Sequence, residues 1–258
     1  MIFMIYYHQN MMTYKKLTTN IFPVSCYANL EDYHINEEQH AYYVDMRAEL
    51  LRRLDQYHKE AGHEISVLEL GAGTGLLTKL LAERSGIKLT VLEPDERSRL
   101  ILARVLKGSS VKIISDKAED LAMQNSFDVI ISSFSHDHVK SGSELAQTIA
   151  RALKPVGVYL CGMEVLRSYR TEKERILALK LWHGFVIKKA EKDGFPVLVG
   201  LEHEALLSGI HRIADFKRDE KRFETEMSEA RLNLIEKSKM GPLRPANIGG
   251  VFVYLFQK

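Results

Sequence analysis

The sequence predicts an α/β fold, a mostly parallel sheet covered by helices on both faces, and three observations carry that expectation. From residue 66 onward short apolar runs alternate with helical patterns, an order that lays successive strands side by side in one parallel sheet. The runs are continuous, as in Val129-Ile130-Ile131, which is how strands read when both of their faces are covered. The third observation is the stretch Val67-Leu68-Glu69-Leu70-Gly71-Ala72-Gly73-Thr74-Gly75, an apolar strand that enters three alternate glycines and then a helical pattern from Leu76.

The elements follow in order. The first two dozen residues read as a loosely held arm; residues 1–7 are apolar but have no basic residue ahead of them and are too short for a signal-peptide core. Asn36, with Glu37 and Glu38, opens a helical pattern that repeats through Ala41, Val44, Ala48 and Leu51 and stops at Gly62. The region is rich in phenols: Tyr27, Tyr33, Tyr42 and Tyr43. After the glycine stretch come a helix over 75–84, a strand over 88–92, a helix over 96–106, a strand over 111–114, a short connection, a strand over 127–132, a helix over 143–153 and a fifth strand.

Residues 164–216 are too long for a simple connection and carry helices of their own. Thr171 and Glu174 form a capping box for a helix with Leu177, Ala178, Leu181, Trp182 and Phe185 on one face, ended by Gly194; a second pattern covers 198–213. Asp219 then starts a helix with Phe223, Met227 and Ala230 on one stripe, and strands over 232–236 and 251–256 close the chain around a loop at 242–250. The expected organisation is an arm and cap helix over 1–62, a ligand-binding core over 63–163, a helical lid over 164–216 and the last part of the core sheet over 217–258.

Composition narrows the function classes. A chain of 258 residues with 45% hydrophobic and 27% charged residues builds one substantial core. A net charge of +2 is no excess of the kind that phosphate neutralisation needs, so an extended nucleic-acid surface is not expected. No apolar run reaches the length of a membrane span. Cys26 and Cys161 lack disulfide-framework or zinc spacing, and a cytoplasmic location is expected.

Glycines stand where backbone takes positive φ or approaches a ligand closely. Here their spacing is G-x-G-x-G, with Glu69 inside the strand, which differs from the G-x-G-x-x-G of dinucleotide-binding turns. The next apolar run ends in Glu93-Pro94-Asp95, about 20 residues on, where a ribose-binding carboxylate stands. With these residues the chain resembles the class I S-adenosylmethionine-dependent methyltransferases. The resemblance extends to Lys117-Ala118-Glu119, matching the family's adenine-side loop, and to the fourth strand from Phe127 to Ser132. One departure is Lys117 where the family often has Asp, with Asp116 one place earlier.

The resemblance covers residues 66–161 well and implies a Rossmann-like sheet of seven strands, S-adenosylmethionine as cofactor and S-adenosylhomocysteine as product. It places Glu69, Gly71, Ala72, Gly73, Gly75, Glu93, Pro94, Lys117, Ala118, Glu119, Ser132, Ser133 and Phe134 at the cofactor. The helix before the first strand then corresponds to a cap over the cofactor, and the 164–216 insertion to a lid over the acceptor.

The cofactor brings the leaving group, so the protein mainly aligns a nucleophile and, where the nucleophile carries a proton, removes it. Histidine titrates near neutrality, and His138 and His136 just past the fourth strand are the candidate bases; the resemblance aligns His138 with a histidine of the small-molecule branch. Neighbours on an extended backbone point to alternate sides, so His136, Asp137 and His138 are not expected to hold a metal.

Tyr33, Tyr42, His138, Tyr169, Trp182 and His211 are the candidate acceptor contacts. The chain has Ser132-Ser133-Phe134-Ser135 where base-amino and glutamine-amide methylating relatives carry an Asn-Pro-Pro-Tyr-like motif, and no Asp ends that strand as in metal-dependent catechol methylation. The acceptor expected is therefore a small-molecule oxygen, nitrogen or carbon. The same pocket is also compatible with intramolecular displacement releasing methylthioadenosine, or with a non-catalytic cofactor-binding module. Replacing Glu93 by Ala should weaken binding of S-adenosylhomocysteine by about 1–3 kcal/mol, through hydrogen bonds lost to a charged acceptor; an unchanged affinity by calorimetry would remove Glu93 from the site.

Overall fold

A computed structural model describes residues 27–245 and 247–258; the amino-terminal arm and Cys26 lie outside the described residues. Strands β1 (Ile65–Leu70), β2 (Ile87–Leu92), β3 (Lys112–Ile114), β4 (Phe127–Ser133), β5 (Leu153–Leu166), β6 (Asn233–Gly241) and β7 (Gly249–Gln257) form one seven-stranded sheet in the order β3-β2-β1-β4-β5-β7-β6. Strands β1 to β5 pair in parallel, and β7 runs antiparallel between β5 and β6. The order reverses at β1, whose carboxyl end lies between those of β2 and β4, the position where open parallel sheets bind ligands.

The described residues form eight α-helices: α1 (Leu30–Asn36), α2 (Tyr43–Ala61), α3 (Leu76–Ala82), α4 (Glu96–Val105), α5 (Gly142–Ala152), α6 (Glu172–Asp193), α7 (Pro196–His211) and α8 (Glu220–Glu229). Successive side chains of a strand point to opposite faces, and the two cores divide accordingly. Val67, Val129, Ile131 and Leu160 pack on one face with Leu50 and Leu54 of α2 and Trp182 and Val186 of α6. Leu68, Ile130 and Tyr159 pack on the other with Leu145 and Ile149 of α5 and Phe223 and Met227 of α8. Each such buried side chain contributes roughly 1.5–3 kcal/mol. No helix among the described residues is long and apolar enough to cross a membrane.

The helix expected over 36–62 is broken in two. Asn29, whose side chain accepts from the amides of Glu31 and Asp32, starts α1, so Asn36 ends that helix instead of opening the next. A single 3-10 turn at Glu37–Gln39 follows, and Tyr42 in the left-handed region (φ 70°) resets the chain before α2. The reset rotates the buried stripe to Tyr43, Met46, Leu50 and Leu54, leaving Val44 50% exposed and Ala48 exposed. Gly62 ends α2 in the left-handed region, as its position in the sequence predicts.

Helix α6 has the expected capping box at Thr171 and Glu174 and stops at Gly194. Its buried face is turned by one residue from the expected one: Leu177 is 48% exposed, while Arg175, Ala178, Leu179, Trp182, His183 and Val186 point inward. The reason is Arg175, which donates to the carbonyls of Gly209 at 2.9 Å and Ile210 at 3.3 Å and so satisfies the end of α7. Strand β6 extends beyond the expected 232–236, and as an edge strand it carries Lys237 and Lys239.

Trp182 lies fully buried in this core and away from the cavity described below, which corrects its assignment as an acceptor contact. Trp182→Ala should lower unfolding free energy by about 3–5 kcal/mol; urea denaturation followed by circular dichroism measures the loss.

Candidate active site

Strand β1 delivers the chain to a loop held by its neighbours. The amides of Gly71 and Ala72 both donate to the Leu92 carbonyl at the end of β2, at 2.7 and 3.2 Å. Gly71 has φ 66°, and a Cβ there would lie 2.4 Å from the Ser135 Cβ, so only glycine fits. Gly75 (φ 94°) starts α3 with Leu102 of α4 against it, 2.7 Å from where a Cβ would stand. Gly73 faces open space and donates its amide to Glu93 Oε2 at 2.6 Å, while Asp95 donates its own to Oε1 at 2.8 Å.

A cavity of about 370 Å³ opens on this loop. Glu69, Gly71, Ala72, Gly73, Glu93 and Pro94 line its inner part, and Lys117, Ala118 and Glu119 line it from the 3-10 turn at Ala118–Asp120. Ser133 at the end of β4 and Phe134 just past it also line the cavity, Phe134 in the left-handed region (φ 58°). Burial pushes the Glu69 carboxyl up to about 8, with the charges of Glu93 and Glu37 adding to it, and burial raises Glu93 to about 7 despite its two amide donors. Glu69 Oε2 and the Thr74 hydroxyl are buried without a hydrogen-bond partner.

Two expected cofactor residues stand behind the cavity. Ser132 is fully buried and shares a hydrogen bond with the Tyr159 hydroxyl at 2.8 Å, and Gly75 serves the packing of α3 on α4.

The candidate bases separate because His136–His138 is a 3-10 turn, not extended backbone, and rotates each residue by about 120°. His136 is buried on the opposite face, its ring edge-on to Phe223 at 4.9 Å and its Nε2 3.8 Å from Glu226 Oε2. Burial drives its pKa down to about 4, and it does not border the cavity, so the structure removes it as a base. His138 does border the cavity. Its Nδ1 donates to the Ala214 carbonyl at 2.5 Å, which leaves the lone pair of the neutral ring on Nε2. Burial lowers its pKa, although the nearby Asp215 charge acts the other way.

Of the other expected acceptor contacts, Tyr33 lines the cavity and three do not. Tyr42 packs on Gly241 at the end of β6, Tyr169 lies under the Arg222 guanidinium, 4.0 Å from its ring centre, and His211 is exposed at the end of α7. The cavity gains residues that sequence reasoning missed: Leu30 and Glu37 before α2, Thr74, Asp95, Ser98, and Ile213 and Phe216 past α7. Phe216 is tied in by its amide, which donates to the Asp137 carbonyl at 2.7 Å. No local pattern marks it. Among the described residues no group of three or more His, Cys, Asp or Glu is placed to hold a metal ion.

Behind Phe134 a buried polar network joins the cap, α6, α7 and β5. Tyr43 stacks between His40 and Phe134, with ring centres 3.6 and 3.7 Å away, and donates its hydroxyl to Glu164 Oε1 at 3.2 Å. Glu202 of α7 pairs with His40 at 2.9 Å and with His183 of α6 at 2.8 Å, and Lys217 pairs with Glu164 at 3.2 Å and with Asp215. Burial alone disfavours the charged His40 ring, but the Glu202 and Glu164 carboxylates outweigh it and raise the pKa.

Residues 39–194, more than half of the chain, match a family model described as a methyltransferase domain. The chain belongs to the class I S-adenosylmethionine-dependent methyltransferases. It is 32% identical over 125 residues to the malonyl-[acyl-carrier protein] O-methyltransferase of Calditerrivibrio nitroreducens, covering 48% of this chain and 47% of that one. It is 47% identical over 55 residues to the ribosomal RNA small subunit methyltransferase A of Deinococcus radiodurans, covering 21% and 18%. The chain thus spans less than half the length of these curated relatives. A crystal structure of Burkholderia thailandensis 1,6-didemethyltoxoflavin-N1-methyltransferase, holding 1,6-didemethyltoxoflavin and S-adenosylhomocysteine, shares the fold with a TM-score of 0.55 at 16% identity, over 88% of this chain and 84% of that one.

The residues lining the cavity fit S-adenosylmethionine, the cofactor of the family to which the chain belongs. The orphaned Glu69 Oε2 is open to a donor from a ligand, the open side of Gly73 leaves room for a ligand against the backbone, and Glu93 offers carboxylate oxygens at the end of β2. The sign of the pH dependence follows. The Glu69 pKa of about 8 in the free protein lies above its ordinary 4.5, so at neutral pH the carboxyl is mostly protonated; a cationic ligand favours the ionised form. Binding of S-adenosylmethionine should therefore release a proton near neutral pH and tighten as pH rises toward about 8. Calorimetry in buffers of different ionisation heat measures the proton released, and Glu69→Gln should reduce the release to what Glu93 contributes.

Proposed function

We propose that the chain transfers the methyl group of S-adenosylmethionine to an oxygen, nitrogen or carbon of a small molecule. The observation that carries this reading is that one cavity of about 370 Å³ is bordered at once by the glycine loop, by His138, by the cap and by the segment past α7. Such a cavity accommodates a ligand and a small acceptor, whereas a net charge of +2 gives no lysine and arginine excess of the kind that phosphate neutralisation needs. The name of the 1,6-didemethyltoxoflavin enzyme supports an acceptor of modest size.

In this reading Glu93 holds the ribose, Glu69 and the loop from Gly71 to Gly73 hold the methionyl end, and Lys117, Ala118 and Glu119 flank the adenine. S-adenosylmethionine, when bound, supplies a methyl carbon attached to a sulfonium leaving group. Ser133 and Phe134 line the place where the acceptor meets it, and Tyr27, Tyr33, Ile213 and Phe216 wall the acceptor off from water. His138 takes the acceptor's proton at Nε2, the nitrogen left basic by the bond from Nδ1 to Ala214.

The test is transfer of labelled methyl from S-adenosylmethionine to a panel of small oxygen, nitrogen and carbon nucleophiles, with product masses read by mass spectrometry. Labelling of no acceptor, with methylthioadenosine as product, would overturn it. His138→Gln should lower kcat by about 10²–10⁴-fold for an acceptor that must lose a proton. The wild-type rate should rise with pH through a value below the ordinary histidine range, and that limb should vanish in the variant.

A further inference from the structure

His40 ties the cap to α7 and β5, and both of its ring nitrogens face acceptors. Nδ1 lies 3.0 Å from the Ala41 carbonyl oxygen, while Nε2 lies 2.9 Å from Glu202 Oε1 of α7 and 3.5 Å from Glu164 Oε1 of β5. A carbonyl and an ionised carboxylate only accept, and a neutral imidazole has one N–H to give, so one of these contacts would set lone pair against lone pair. The imidazolium, with two N–H groups, suits both. The Nε2 approach to Glu202 is bent, so charge carries it more than a straight hydrogen bond. His183 differs: its Nδ1 donates to Glu202 Oε2 at 2.8 Å and its buried Nε2 has no partner, an arrangement that one proton satisfies.

Every element packed around the His40 ring brings charge to it. The cap adds Glu37, close enough for the two charges to act on each other, β5 adds Glu164 and α7 adds Glu202. Behind them stand His183 of α6 on Glu202, and Lys217 and Asp215 of the segment after α7 beside Glu164. Burial disfavours the charged ring, but the Glu202 and Glu164 carboxylates outweigh it and hold the pKa above the ordinary 6.5. A raised value means that the docking contributed by this ring is complete below the ordinary value and is lost as pH rises through the raised one. The other contacts of the cap with α7 need no charge on histidine: the Ala28 amide donates to Glu204 at 2.9 Å, and Tyr27 packs on Ala205 and Ala214.

The face of the ring leads to the cavity. His40 stacks on Tyr43 with ring centres 3.6 Å apart, and Tyr43 stacks on Phe134 at 3.7 Å, a residue of the cavity wall. We propose that His40 is a proton-operated latch between the cap and α7: charged, it holds the cap and the Tyr43–Phe134 stack against the cavity, and on losing one proton it releases them. The latch acts in the free protein, whatever acceptor the cavity takes, and so goes beyond the function proposed above.

The test joins NMR of protein labelled with ¹⁵N at histidine, His40 being assigned through its contact with the Tyr43 ring, to hydrogen exchange of peptides from residues 37–50. Exchange is compared at about pH 6 and about pH 9, on either side of the histidine range, after correction for intrinsic rates. Both His40 nitrogens should show imidazolium shifts at about pH 6.5, and the ring should titrate above that. Protection of the cap peptides should fall by about tenfold or more between the two conditions, as a buried ion pair loses one charge, and that of β1 peptides should fall less. Glu202→Gln should lower the pH at which the ring titrates.

His40→Gln keeps Glu37, Glu204 and Asp137, whose carboxyls burial also raises, but lacks the switch. Its cap should exchange at the released rate under both conditions. A neutral His40 ring at about pH 6.5, a titrating ring with unchanged cap protection, an equal loss in β1, a midpoint unmoved by Glu202→Gln, or a wild-type pH response kept in His40→Gln each overturns the proposal. Should His40→Gln fail to fold, the wild-type spectra and exchange decide alone.

Discussion

The shape of this site depends on hydrogen bonds given by the glycine loop to the end of β2. Gly71 and Ala72 share the Leu92 carbonyl, and Gly73 and Asp95 share the Glu93 carboxyl. The loop has few side chains with which to pack, so its path is set by where its amides find acceptors. The same bonds turn Glu93 into the cavity's edge. A buried carboxyl is costly without partners, and the two amides reduce that cost while leaving it poised to ionise near neutrality.

On the other side of the cavity the polar groups lie in an unusually buried setting. Glu202 between His40 and His183, and Glu164 between Tyr43 and Lys217, join elements that are far apart in the chain: the cap, α6, α7, β5 and the segment after α7. Burying charge costs several kcal/mol per ion, so such groups persist only when paired. The pairs lie against the stack His40, Tyr43 and Phe134, whose last ring lines the cavity. The positions of the cap and of α7 are thus expressed at the pocket floor through packed rings and paired charges.

The stretch that matches the family and the wall of the cavity coincide only in part. The match to the methyltransferase domain runs over 39–194, which includes the glycine loop, Glu93 and His138. Tyr27, Leu30, Tyr33 and Glu37 precede it, and Ile213 and Phe216 follow it, yet all six border the cavity. The strand-end side of the cavity lies within the stretch that family membership constrains, and the rest of its wall comes from the two flanks, outside that stretch.

What the sequence determined by itself is what local backbone chemistry decides. The strand–glycine–helix junction, the left-handed ends at Gly62 and Gly194, the capping box of Thr171 and Glu174, and the start of α8 at Asp219 all stand where their residues place them. The parallel core and the glycine-loop edge of the cavity follow, because continuous apolar runs and glycine spacing act over a few residues. Tertiary structure decided the phase of α2 and α6, the opposite fates of His136 and His138, and the removal of Tyr42, Tyr169, Trp182 and His211 from the pocket. The phase of α6 and the fate of His136 turn on a rotation of one or two residues, set by a contact with something distant in the chain, Arg175 with the end of α7 and His136 with Phe223. Such contacts leave no period in the sequence, because the partner's position exists only once the sheet has formed.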